Sequence, residues 1–296
     1  MKAEKWSRDP SLRPAGVRLR IFVRGLWLRG GLRLFMGGGL LLGILVVAII
    51  GPSLAPHDPL ATNFEAPMQA PSSEHWLGTD PVGRDVFSRI IAGTRLAFQV
   101  GFVAVVTSLI IGLILGMVAG YFSGWVDTLI MIWVNSLLAL PLLIVALAIV
   151  AAFGPSLTNI MIAIGVASSP AITRVVRAQI LSAREMAYVE AATVIGSGTT
   201  RIMVRHLLPN IVAPLIVLGS LRIATAILAE AGLSFLGLGV QPPEPSWGSM
   251  ANFGRSYFEA APWLVFAPVA AIFVTVLAWN FFGDGMRDYL DPRLRQ

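Results

Sequence analysis

Six stretches of this chain stay apolar long enough to cross a bilayer, near residues 35–55, 98–122, 129–153, 157–173, 211–238 and 263–283. At about 1.5 Å of rise per residue, a helix of about 20 residues spans a hydrocarbon core about 30 Å thick. Composition agrees, with 56% hydrophobic and 13% charged residues, where a soluble domain carries about 25% charged. The expected fold is an all-α membrane protein of six transmembrane helices. A basic segment at 1–34 precedes a single six-span domain at 35–296, with no internal repeat.

The sequence pI of 10.5 would suit a nucleic-acid binder, but the charge distribution argues for membrane topology instead. Residues 1–34 hold nine Lys/Arg against two acidic residues, and 56–96 hold three against five. Residues 174–209 hold five arginines against Glu185 and Glu190, and Arg287, Arg293 and Arg295 follow the last span. Positive charge collects on the cytoplasmic side. Both termini and the 174–209 loop are therefore expected inside, and the loops at 56–96, 154–156 and 239–262 outside. Lipid is an expected partner and nucleic acid is not.

The first apolar stretch is too long for the core of a cleaved signal peptide, and Gly51-Pro52 and Pro56 close it as a span. Val17–Arg33 alternates arginines with apolar residues. It suits an interfacial helix on an anionic leaflet, or an extension of the first span. Gly112, Gly116 and Gly120 form two overlapping G-x-x-x-G steps. Such steps let a second helix come close, within the chain or across a subunit interface. Pro141 predicts a kink in the third span. Trp76, Trp247 and Trp263 suit an aromatic belt. The proline-rich stretch Gln241–Gly248 is a stiff loop, or a contact for a delivering protein.

The 174–209 island is the polar exception. Ser182 and Glu185 make an S-x-x-E capping box, and Gly196 suits a left-handed stop. These signals predict one short helix over 183–195, outside the membrane, with Leu208-Pro209 marking re-entry into lipid. On physical grounds it serves equally as a plain connector or as a knob for a groove on another protein.

The run Tyr188-Val189-Glu190-Ala191-Ala192, then Gly196, His206 and Leu208-Pro209, resembles the E-A-A loop of permease subunits in binding-protein-dependent ABC importers. His206 stands where that pattern has isoleucine. Three more blocks resemble the C-type permease of dipeptide, oligopeptide and nickel importers. They are His75-Trp-Leu-Gly78-Thr79-Asp80 with Gly83-Arg84-Asp85 and Ser88-Arg89, then Glu230–Gly237, then Asn280–Arg293. The resemblance covers roughly 35–295.

It implies a cytoplasmic coupling helix between spans 4 and 5. Tyr188, Glu190, Ala191, Ala192, Gly196, Leu208 and Pro209 would contact or redirect toward an ATPase, supported by Ser182, Glu185 and Met186. Further implied partners are a second, non-identical permease subunit, two cytoplasmic ATPases and an external solute-binding protein. The implied place is a bacterial or archaeal inner membrane. Implied cargo is di- or oligopeptides, with nickel or another small solute as the alternative.

Several chemistries are excluded or disfavoured. Without cysteine there is no thiolate or Cys-metal site. His57, His75 and His206 lie far apart in sequence, which argues against a metal cage. The only lysines are Lys2 and Lys5, so no P-loop lysine exists. ATP and Mg are expected on partner ATPases, with no cofactor in this chain. Neither H-E-x-x-H nor G-x-S-x-G occurs, and Gly283-Asp284 lacks the G-x-G-D spacing, so no enzyme is expected. An ATP-independent channel or secondary transporter stays open, because Arg222 and Glu230 fall inside the fifth window. They line a path there, or they bond neighbouring helices.

Overall fold

The computed structural model describes residues 31–290 as an almost entirely helical chain with no strand among them. Val17–Gly30 and the tail residues Asp291, Pro292, Arg293 and Arg295 lie outside the described residues. The helices are α1 (Gly31–Leu54), α2 (Val86–Phe122), α3 (Gly124–Leu138), α4 (Leu142–Phe153), α5 (Leu157–Arg184), α6 (Ala187–Val194), α7 (Leu208–Phe235), α8 (Trp247–Arg255) and α9 (Trp263–Leu290). Five helical runs are long and apolar enough to cross a membrane, and six if α3 and α4 count as one bent span.

The close approaches set the directions. Gly112, Gly116 and Gly120 of α2 lie against Ile172, Val176 and Ile180 of α5, where an added Cβ would come within 2.6–2.7 Å of the facing side chains. The matching increments mean that α2 and α5 run parallel. The G-x-x-x-G steps therefore serve packing within this chain. Parallel neighbours require an intervening return crossing, and the α3–α4 pair makes it. The pair bends by 96°, sharper than the predicted kink: Pro141 lacks an amide hydrogen and heads α4 rather than bending a continuous helix.

Gly101 of α2 meets Ile223 and Ile227 of α7, while Gly219 meets Val105 and Leu109, so α7 runs antiparallel to α2. Gly37 and Gly285 bring α1 and α9 together, also antiparallel. All three segments predicted to face outward gather at one end, the long-loop end. The 123–124 turn, α6 and the C-terminal end of α9 gather at the other, the short-helix end. The main core lies between α2, α5 and α7 around Val100, Ala104, Ile160, Ile164, Ile227 and Leu233.

Two boundaries differ from expectation. The fourth span continues to Arg184, well past the apolar window, because its arginines find anchors. Arg177 forms a bidentate ion pair with Asp127 of α3, and Arg184 donates to Gly120 O and Ser123 Oγ. Consequently Ser182 lies inside α5 and Glu185 is that helix's C-cap. The predicted capping box does not form. The short helix instead starts at Ala187, with Met186 at its N-cap and no side-chain cap.

Candidate functional site

At the short-helix end, α6 lies on a second apolar cluster. Val189 and Ala192 are buried with Met117, Ile172, Val176, Ile180, Ile202 and Leu207, which seats the helix by its inner face on α5 and the Ile202–Leu207 stretch, over a cluster that α2, α5 and α7 share. Tyr188 Oη accepts a hydrogen bond from Asn210 Nδ2, and Asn210 Nδ2 also donates to His206 O at 2.6 Å. Gly196 follows at φ +79° and ends the helix as a left-handed residue, a conformation that costs other residues about 1–2 kcal/mol. Beyond it come a helical turn at Thr199–Arg201 and a π-helical stretch at Ile202–Leu207. Pro209 sits in the first turn of α7, where its missing amide is tolerated. Leu208 is half-buried and Pro209 exposed.

The outer face of α6 carries Tyr188, Glu190 and Ala191, all exposed. Ala192 faces inward, so it supports the helix and does not belong to that surface. Val194 and Ile195 are 82% and 81% exposed, and Met186 and Val204 add further uncovered apolar area. Exposed apolar side chains on a short helix outside the spans make this face a candidate interaction surface. Pattern reading missed Val194 and Ile195, because attention to glutamate, alanine and glycine passes over an apolar pair at the end of a helix. Ser182 and Glu185 are exposed on the neighbouring stretch.

Arg222 and Glu230 both lie on α7 and do not meet. Glu230 is 3% exposed. Its Oε1 accepts hydrogen bonds from Ser234 Oγ at 2.6 Å and Ser246 Oγ at 2.8 Å. Ser246 also caps α8, so Glu230 ties α7 to the start of α8. Arg222 is half-buried, with no carboxylate within salt-bridge distance among the described residues.

The long-loop end is a self-closing network. Asp80 accepts from Val82 N, Arg84 N and Arg84 Nε at 2.6–3.0 Å, and Arg89 donates to Pro59 O. Gly83, at φ +77°, passes so close to Asn63 that a Cβ would fall 1.8 Å from its carbonyl oxygen. Asp85 is the N-cap of α2, its Oδ2 accepting from Ser88 N and Ser88 Oγ at 2.7 Å. Trp247 is buried and donates to Ile90 O, so it is a core residue rather than part of a belt.

The fold also brings together two histidines that are distant in sequence. His75 Nδ1 lies 2.9 Å from Asp85 Oδ1, and His57 Nδ1 lies 3.8 Å from the same oxygen. His57 Nδ1 is buried without a hydrogen-bond partner, a state that costs about 1–3 kcal/mol. A cavity of about 230 Å³ opens beside this network, lined by Asp80, Arg84, Arg89, Gln241, Glu244 and Asn252 among others.

Comparison with known proteins identifies the architecture. The family described as "Binding-protein-dependent transport system inner membrane component" matches residues 112–296, a stretch that includes α6 and its supporting helices. The chain belongs to that family. It is 44% identical over 251 residues to the dipeptide transport system permease protein DppC of Alkalihalophilus pseudofirmus, covering 85% of this chain and 83% of the relative. The glutathione transport system permease protein GsiD of Pectobacterium atrosepticum is 42% identical over 255 residues, covering 85% and 84%. GsiD of Salmonella paratyphi A is 43% identical over 263 residues, covering 88% and 86%. This permease is thus similar to its relatives across both ends of the bundle.

Proposed function

We propose that this permease is one of two non-identical membrane subunits of an ATP-driven importer for dipeptides or other short peptides. In this reading the short-helix end faces the cytoplasm and α6 is the coupling helix. Two ATPase subunits carry ATP and Mg, and an external solute-binding protein delivers cargo to the long-loop end. The carrying observation is α6 itself: Glu190, Ala191, Val194 and Ile195 are uncovered, while Val189 and Ala192 seat the other face on a cluster that α2, α5 and α7 share. A push on that outer face would be delivered to three spans at once. The arginine balance supports the sidedness, and the relatives' names, dipeptide and glutathione transport permeases, support peptide cargo. Glu230 is buried and hydrogen-bonded to Ser234 and Ser246, so in this reading it ties α7 to α8.

The test places the full importer in proteoliposomes and compares wild type with Glu190→Arg, Gly196→Val and Val194→Asp. Each variant is expected to insert normally, to lose peptide uptake at least about 10-fold and to co-purify less ATPase. Undiminished uptake and ATPase retention in all three would refute the docking role. Uptake that continues without ATP would refute the importer reading in favour of a channel.

A further inference from the structure

We infer that His57, His75 and Asp85 form a binding site for one divalent transition-metal ion, Zn2+ by preference, at the long-loop end of the chain. His57 lies just beyond α1, His75 lies in the loop, and Asp85 caps α2. Each offers one donor atom, and the three donors lie within 4.8 Å of one another. Donors around a tetrahedral zinc, bonded at about 2.0–2.2 Å, sit about 3.3 Å apart. The two separations from Asp85 Oδ1, 2.9 Å and 3.8 Å, bracket that spacing. The widest separation in the set, up to 4.8 Å, exceeds that spacing, so binding requires the half-exposed His57 ring to move toward the other two donors.

The chemistry of the set selects the ion. Two imidazoles and one carboxylate suit zinc, nickel, cobalt or copper, whereas magnesium and calcium take oxygen-only shells. The second layer is already in place. Ser88 N and Oγ hold Asp85 Oδ2, leaving Oδ1 directed at the imidazoles, and Ser88 Oγ accepts from His57 N at 3.2 Å. Such outer bonds orient first ligands. The two rings also face each other with centroids 4.7 Å apart. With no metal, one carboxylate oxygen serves His75 and leaves His57 Nδ1 without a partner. A cation accounts for both nitrogens together. Three protein ligands leave a fourth position for water. The bound ion would staple the start of the loop, its middle and the first turn of α2. The site depends neither on the cargo nor on the docking of α6.

The experiment uses tag-free full-length chain, assembled with its partner permease in lipid nanodiscs. Zn2+ is titrated in competition with a chromogenic chelator, and Co2+ is added separately to read ligand-field absorption. Wild type and the His206→Gln control are expected to take one tightly held Zn2+ per chain and to give the intense visible bands of low-coordinate Co2+. His57→Gln and His75→Gln are each expected to bind at least about 10–100-fold more weakly, the loss typical even of outer-layer substitutions. Should His75→Gln fail to assemble, His57→Gln decides alone, because its Nδ1 gives up no hydrogen bond. Zn2+ should also slow proteolysis of the 57–85 loop in wild type and not in His57→Gln. Wild type without a tightly bound Zn2+, or His57→Gln with wild-type affinity, would overturn the site.

Discussion

At the long-loop end, polar groups are spent on one another. Asp80 accepts three hydrogen bonds from its own turn, Asp85 caps α2, Glu230 joins α7 to α8, and Trp247 reaches across to Ile90 O. At the short-helix end the balance is reversed. Behind α6 the apolar cluster is sealed, but in front of it Met186, Tyr188, Val194 and Ile195 stand in the open. Both ends carry family-like motifs, and they use them differently. The first end satisfies most of its polar groups within one chain, His57 Nδ1 excepted, while the second leaves an apolar pair uncovered at the end of a short helix. Substitutions should therefore damage folding at one end and association at the other.

The sharpest break of that contrast is Gly83→Val. The added Cβ would overlap Asn63 O at 1.8 Å, on a residue with φ +77°, and backbone cannot yield as a side-chain tip can. We expect loss of folded protein in the membrane, read as degradation or failure to extract a monodisperse species. Val194→Asp, by contrast, should leave that readout unchanged while uptake falls. If Gly83→Val folds and transports normally, the long-loop end is not the rigid element described.

A smaller effect is expected from Asp127→Asn at the short-helix end. Asp127 and Arg177 form a bidentate pair that anchors the polar end of α5 beside the 123–124 turn. The pair is partly solvent-exposed, so screening trims its worth toward about 1 kcal/mol. A thermal shift of a few degrees, with uptake reduced less than in Glu190→Arg, is the expected result. A loss of ATPase equal to that of Glu190→Arg would mean that α5 and α6 act as one docking body, blurring the distinction between anchor and interface.

These contrasts show what pattern reading can reach. Span positions were legible because lipid demands about 20 apolar residues whatever the packing, and Gly196 was legible because a left-handed stop favours glycine. The capping box was misread because a hydropathy window measures contact with lipid and not helix length. Helix α5 runs on through Ser182 on the strength of Arg177 and Arg184, whose partners Asp127, Ser123 and Gly120 lie on other elements. Pattern reading could not see that Ala192 faces inward, since the helix's rotation is set by the cluster beneath it. Nor could it see that His57 meets His75, which needs the whole loop to fold back on α2.

The mildest expected outcome concerns Glu230, and it separates a strut from a path residue. Both hydrogen bonds to Oε1 are donated by serine hydroxyls, from Ser234 and Ser246. A glutamine keeps an oxygen acceptor at that place and removes only the charge, so Glu230→Gln is expected to retain uptake within about twofold and assembly in full. Glu230→Leu removes the acceptor, leaves two buried hydroxyl donors without it at about 1–3 kcal/mol each, and should loosen α8 from α7. Arg222→Leu, remote from this junction, provides the comparison on the same helix. If Glu230→Gln abolished uptake with assembly intact, the negative charge itself would be at work. The self-contained hydrogen bonding at the long-loop end would then fail to account for this buried carboxylate.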